Sequence, residues 1–386
     1  MRILLHIGQS KTGTSAIQGY LTSNRHRLLE AGVLFPSVKI GGLNIDLESH
    51  NAVADTLVGL NPYPHLTADQ YFDQFFHEAR RSKAHLMILS AEHFFGGQPR
   101  IYNVPDESAY YTRYEAKIKA LAKYLQGNDV TILAYLRPQV DWLASTISHT
   151  IRIERLTGTK QIYVNDRQFS QLFKPLLRYC RLVDIWARTL KPSSITVVPY
   201  ERNFLHGRSS VADFLIRAEI ENLDLPFENP KIKFNESLTR EYIEVKKSIN
   251  LGNEARTKTQ ERVAIRCLEH LSRKSDKGAL YRLSGDLIGE IENFVLQENA
   301  RLNQQYVTGD HPLSAQSESY RAIVPKPLTE KEIEDAKAAF DKEYGRLKTR
   351  FLAFDFASRA FLRQRARPVL AFLHQAKRVQ RRVRHP

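Results

Sequence analysis

Arg2-Ile3-Leu4-Leu5-His6-Ile7-Gly8-Gln9-Ser10-Lys11-Thr12-Gly13-Thr14-Ser15 decides the fold class of this chain. Its first six residues are a short, mostly apolar run of the kind that fills the middle of a parallel sheet. Gly8 to Ser15 then turns the chain, and Ala16 to Leu21 opens a helix whose apolar members recur at Ile17, Leu21 and Leu28. A strand, a glycine turn and a helix together make a cradle for an anion. The helix start offers unpaired N–H groups and the positive end of its dipole, and Gly13 lets the backbone come close. Lys11 adds a point charge, and Thr14 and Ser15 add hydroxyls. The order departs from the nucleotide-triphosphatase loop G-x-x-x-x-G-K-[ST], because Lys11 stands two residues before Gly13. An ordinary ATPase or kinase is therefore not expected. Turns of this composition also simply start helices, so the loop alone leaves both readings open.

Working outward, further buried runs follow. Gly32 to Pro36 reads as a short strand, and Leu86 to Leu89, Val130 to Leu136 and Ile195 to Pro199 as three more. Helical spacing fills the intervals: to about Glu30, then Tyr71 to Ser82, Glu115 to Leu125, Val140 to Arg152, and Phe169 to Leu190. Strands alternating with helices over two hundred residues predict a three-layer α/β/α fold around a parallel sheet of about five strands. Residues 37 to 66, polar and with a helical piece near Ala52 to Leu57, form a candidate lid or acceptor wall. Residues 97 to 112 read as a loop. Helical patterns dominate afterwards, at Ser209 to Arg217, Ser237 to Ile249, Thr257 to Arg273 and Ala279 to Tyr306. The expected organisation is one α/β domain over residues 1–325 and a helical, strongly basic extension over 326–386.

Composition narrows the function classes. With 26% charged and 42% hydrophobic residues, the 386-residue chain is globular. The two cysteines, Cys180 and Cys267, lie 87 positions apart with no CxxC pair, so neither a disulfide scaffold nor a zinc site is expected and a reducing compartment fits. No apolar run approaches the ~20 residues that span a bilayer. The first core strand begins almost at Met1, which leaves no room for a leader, so a cytoplasmic location is expected. Nine basic residues after Asp355, from Arg359 to Arg384, supply nine of the fifteen net positive charges. Beyond Pro368, Val369, Phe372, Leu373, Ala376, Val379 and Val383 fall on one helical face, which suits peripheral contact of residues 357–386 with an anionic membrane. Nothing before the tail interleaves aromatic with basic residues, so nucleic acid is not an expected partner.

Two motifs carry a resemblance. The loop Lys11-Thr12-Gly13-Thr14-Ser15 and the run Arg137 to Ser145 resemble the co-substrate motifs of sulfotransferases that use 3′-phosphoadenosine 5′-phosphosulfate. The resemblance is in particular to the bacterial sulfotransferase-like family, which begins His-Ile-Gly-x-x-Lys-Thr-Gly-Thr. The resemblance gives Lys11, Thr12, Gly13, Thr14 and Ser15 the 5′-phosphosulfate. It gives Arg137, at a strand end, and Ser145, eight positions on, the 3′-phosphate. Pro138 follows the arginine directly, whereas the familiar animal form has its proline one position later. The physical chemistry agrees: arginine presents a planar fork to a terminal phosphate, and serine adds a hydroxyl donor. A sulfuryl group carries less charge than a terminal phosphoryl, so lysine and N–H groups can stabilise its transfer and no metal is expected.

Transfer also needs a base within hydrogen-bond reach of the acceptor. Glu92 is the first candidate, since Ser90-Ala91-Glu92 resembles the Ser-Ser-Glu of the bacterial family. His50, in the acceptor loop, is the second and His93 the third, while His149 reads as structural. Asn235-Glu236-Ser237-Leu238 resembles a late family segment and reads mainly as a helix cap at Ser237. Tyr200-Glu201 reads as structural. The expected reaction is sulfuryl transfer to a hydroxyl of a carbohydrate or glycolipid, with Lys11 neutralising the leaving phosphate. The alternatives are a kinase-like phosphoryl transferase, which predicts magnesium dependence, and a non-catalytic binding module of the same fold.

Overall fold

Seven strands occur among the described residues of the computed structural model: β1 (Arg2–His6), β2 (Val33–Leu34), β3 (Val38–Ile40), β4 (Leu43–Ile45), β5 (Leu86–Ser90), β6 (Asp129–Leu136) and β7 (Ser194–Pro199). Those described residues are 1–40, 43–45, 47–60, 63, 66–96, 106–155, 165–221, 237–252, 256–275, 281–322, 327–347 and 349. Five strands form one sheet in the order β2-β5-β1-β6-β7, every pairing parallel. Register places His6 beside Ser90 on one side and Leu133 on the other. All five strands therefore end at the same edge of the sheet, where ligands meet open α/β folds.

Why the sheet is buried follows from its residues. Period-two alternation sends Leu4, Leu86, Ile88, Leu133, Tyr135 and Val198 to one face, in a cluster with Ile17, Leu21, Leu28, Val211 and Phe214. Those partners come from three helices, α1 (Thr14–Ser23), α2 (Arg25–Glu30) and α10 (Ser210–Arg217). Ile3, Leu5, Met87, Leu89, Ile132 and Ala134 point the other way and are buried too. This is the three-layer α/β/α fold expected from the alternation of elements.

The remaining described helices are α3 (Asn51–Thr56), α4 (Ala68–Ser82), α5 (Glu92–Phe95), α6 (Glu107–Leu125), α7 (Gln139–Ile153), α8 (Asp166–Leu177), α9 (Tyr179–Leu190), α11 (Arg240–Leu251), α12 (Lys258–Lys274), α13 (Gly285–Gln305) and α14 (Glu318–Arg321), and residues 330–347 are helical. Several boundaries differ from the sequence reading, each for a local reason. The helix starting at Thr14 breaks at Asn24, whose side chain donates to Tyr20 O (3.0 Å) and closes the turn. The stretch 169–190 is two helices, because Pro175 cannot donate to the ladder and Arg178 leaves helical geometry at ψ 71°. Helix α6 begins eight residues early, capped by Asp106, which accepts from the Ala109 N–H (2.8 Å). Within 37–66 lies an antiparallel hairpin, β3 with β4, that the sequence reading missed. The cap expected at Ser237 falls instead at Thr239, and Asn235 and Glu236 lie outside the described residues.

The chain divides into two compact units: Met1–Ile147, Tyr163–Asn235 and Arg282–Pro325 make one, and Ser148–Ile162, Glu236–Tyr281 and Lys326–Pro386 the other. Of the stretch read from the sequence as a basic extension, 326–386, residues 327–347 and 349 are described and fall in the second unit. In the second unit a buried pair, Lys246 Nζ and Glu261 Oε1, stands at the contact of α11 and α12, with Asn250 Oδ1 accepting from the same lysine (2.5 Å). Also in that unit, Arg152 NH1 donates to Glu269 (2.8 Å) and Arg152 NH2 lies 3.1 Å from His149 Nδ1, which gives His149 a structural partner. No described helix is long and apolar enough to cross a membrane. Residues 357–386 lie outside the described residues.

Candidate anion-binding site

The turn after β1 is held to the neighbouring strand before any side-chain chemistry begins. The Gln9 N–H donates to Tyr135 O (3.0 Å), and the Ile7 N–H to Leu133 O (3.0 Å). Thr12 then closes the turn on itself, its hydroxyl donating to Gln9 O (2.6 Å). Thr12 is therefore buried as a brace of the loop and does not present its hydroxyl outward. Lys11, at φ 71°, and Gly13, at φ 76°, both adopt left-handed backbone, so the loop curls tightly into α1. Glycine carries that conformation without penalty, and the lysine carries it because the bonds on either side impose it.

Gly13 has a second reason to be glycine. A Cβ built there would lie 2.6 Å from Ser210 Oγ, 2.8 Å from Ser210 Cβ and 3.0 Å from the Tyr200 hydroxyl. The start of α10 and the residue after β7 thus press against the loop. Helix α1 starts with no side-chain cap, its first bonds running from the Ala16 and Ile17 N–H groups to Gly13 O (3.0 and 3.2 Å). The N–H groups of its first residues are suited to an anion. Two helix starts, those of α1 and α10, meet at Gly13.

Helix α10 is pinned there by one buried carboxylate. Asp213 Oδ2 accepts from the Tyr135 hydroxyl (2.6 Å) and from Arg217 Nε (2.7 Å), and Oδ1 accepts from the His206 N–H (3.1 Å). Burial, with Asp213 alongside, raises the Tyr135 phenol far above its ordinary value, so it stays a donor.

Arg137 stands at the end of β6, on the same sheet edge as the loop. Its N–H donates to Gln9 Oε1 (3.1 Å) and its carbonyl accepts from the Tyr179 hydroxyl (2.9 Å). Gln9 therefore ties the loop and the arginine into one frame. The Arg137 charge also reaches the Tyr200 phenol, lowering its pKa against the larger, raising effect of burial. Helix α7 follows at once, its start held by a reciprocal pair between Gln139 and Asn299 (2.6 and 3.0 Å) and by the Val140 N–H donating to Ala315 O (2.9 Å). Ser145 sits half-buried in α7, and no bond joins it to Arg137 among the described residues.

Glu92 opens α5, straight after β5, and its Oε1 accepts from the Thr14 hydroxyl at the start of α1. The first candidate base and the anion loop are therefore in direct contact. Ser15, one residue on, is exposed.

His50 is the correction to the sequence reading. It is fully buried, and both ring nitrogens are engaged: Nδ1 accepts from the Ser90 N–H (3.0 Å) and Nε2 donates to Pro36 O (3.2 Å). Burial lowers its pKa to about 4. With both nitrogens committed to backbone, His50 has none to offer an acceptor; it clips the 36–50 excursion to β5. A second buried histidine, His6, shares a bond with Ser90 Oγ (2.8 Å) and is lowered to about 3 by burial. His93 is engaged with α3, its Nδ1 2.8 Å from Asp55 Oδ1 and its backbone N–H donating to Asn51 Oδ1 (3.1 Å). Beneath it, Lys117, 2% exposed, donates to His93 O (2.7 Å). Burial lowers that ammonium to about 7, against the raising effect of Asp55.

The structure thus brings Lys11, Gly13, Thr14, Glu92 and Arg137 to one edge and turns His50 into a clip. Sequence reasoning missed Ser210 and Tyr200 as neighbours of Gly13. Tyr200 could have been found, since it follows a strand end, but Ser210 announces only a helix start. No group of three or more His, Cys, Asp or Glu suited to a metal ion occurs among the described residues. No protein-family model, curated protein or solved structure matches the chain.

Proposed function

We propose that this chain is a sulfotransferase that moves a sulfuryl group from 3′-phosphoadenosine 5′-phosphosulfate to a hydroxyl of a carbohydrate or glycolipid. The observation that carries the reading is the Gln9 bridge, through which the lysine loop and the Arg137 strand end share one frame. A nucleotide phosphorylated at two ends needs two separate cationic groups on one edge, and the position of Lys11 and Arg137 at the same end of the sheet supports that reading. In the proposed reaction the 5′-phosphosulfate lies on the loop and the first turn of α1, with Lys11, Gly13, Thr14 and Ser15 around it. Arg137, with Ser145 farther along α7, takes the 3′-phosphate. The acceptor oxygen attacks sulfur in line as the bond to the 5′-phosphate breaks; its proton passes to Glu92, and Lys11 offsets the charge left on the phosphate. Thr12 serves as a brace within the loop.

The free, buried thiols of Cys180 and Cys267 support placing the protein in a reducing compartment, the cytoplasm. Contact of the basic tail with an anionic membrane belongs to the same proposal. The test is calorimetric titration of adenosine 3′,5′-bisphosphate into wild type, Lys11→Ala and Arg137→Ala. Each variant is expected to lose about 2 kcal/mol or more, the scale of a charge-assisted hydrogen bond. Unchanged binding in both would reject the site. A requirement for magnesium in the transfer assay would favour phosphoryl transfer instead.

A further inference from the structure

Thr14 and Glu92 are joined across the anion loop, and that bond has a consequence for when Glu92 can act. A threonine hydroxyl has one hydrogen to give. In the structure it goes to Glu92 Oε1, from a side chain that is itself 2% exposed at the first residue of α1. An anion seated on the first turn of α1 competes for the same hydrogen. It also brings a second negative charge up to the Glu92 carboxylate, in a half-buried setting where like charges repel more strongly than in water.

We propose that Thr14 is a positioning residue that makes Glu92 available only after the nucleotide is bound. The Thr14 hydroxyl holds the carboxylate until an anionic group on the loop takes its hydrogen, and the released carboxylate turns to the acceptor. The step then balances. The acceptor O–H bond breaks and its proton goes to the freed Glu92 oxygen. The new O–S bond forms as the old S–O bond gives its electron pair to the 5′-phosphate. The inference rests on the sulfuryl-transfer reading above and adds an order to it, nucleotide first and acceptor second.

Titration of adenosine 3′,5′-bisphosphate into the full chain tests it, with wild type, Glu92→Gln, Thr14→Ser and Thr14→Val compared. Glu92→Gln keeps the shape and removes the competing charge, so it is expected to bind about tenfold more tightly, even as transfer falls about a hundredfold or more. Thr14→Ser keeps the hydroxyl and should match wild type, whereas Thr14→Val should bind about tenfold more weakly. Wild-type titrations in buffers of different ionisation enthalpy should show no proton taken up. Glu92→Gln binding that is equal to or weaker than wild type overturns the proposal, as does a valine variant that behaves like the serine one. Uptake of a full proton also overturns it, because Glu92 would then be protonated in place instead of released. If wild type does not bind the nucleotide at all, the functional reading itself has failed, a result separate from any of these.

Discussion

Replacing Gly13 with alanine is the sharpest test of the way the site is built. At φ 76° an L-residue pays about 1–2 kcal/mol for left-handed backbone. The new methyl would also lie 2.6 Å from Ser210 Oγ and 2.8 Å from Ser210 Cβ, and the latter atom moves only if α10 moves. Overpacking of that kind adds about 1–3 kcal/mol, for a total of about 2–5 kcal/mol. Gly127 supplies the control, because it has φ 79° and nothing within 4 Å of an added Cβ. Gly127→Ala should therefore show the backbone cost alone. The measurement is urea unfolding of both variants followed by circular dichroism, with nucleotide titration alongside. Gly13→Ala should be the less stable by the packing difference and should bind the nucleotide more weakly, while Gly127→Ala binds normally. Equal destabilisation of the two, with binding intact in both, would refute the claim that Ser210 and Tyr200 abut the loop.

Acid should weaken the fold through His6 and His50. Unfolded, each ring takes a proton near pH 6.5, but folded His50 stays neutral to about pH 4 and His6 to about pH 3. Their stabilising effect is therefore present in full above pH 6.5 and shrinks by about 1.4 kcal/mol per pH unit for each as pH falls toward 4; unfolding midpoints of wild type and His50→Gln across that range should differ in slope by one histidine. Tyr135→Phe removes one of the donors holding Asp213 and should cost about 1–2 kcal/mol in urea unfolding. In the second unit, Lys246→Met strands a buried carboxylate and should cost about 3–5 kcal/mol, while Lys246→Met with Glu261→Leu should recover most of it.

The five-stranded sheet was legible because each strand is a short apolar run followed by a turn residue, a pattern that survives without partners. The hairpin at 38–45 was not, because three-residue strands amid polar neighbours leave no periodic trace. That Lys11, Gly13 and Arg137 lie at one edge could be read because a parallel sheet delivers every strand end there. Ser210 could not, because nothing in Ser209-Ser210 says that α10 comes back to Gly13. That fact depends on Asp213 reaching Tyr135, 78 positions away in the chain. His50 misled for a related reason. A histidine in a polar excursion reads the same whether its nitrogens meet solvent or the backbone of Pro36 and Ser90.

In the proposed reading, the bond from Arg137 N–H to Gln9 Oε1 makes the two cationic groups jaws of one caliper. A ligand is then measured end to end, so adenosine 5′-phosphate and adenosine 3′-phosphate each fill a single jaw and should bind far more weakly than the bisphosphate. Gln9→Ala would slacken the hinge, and the preference for the longer ligand should narrow even though neither jaw has lost its charge.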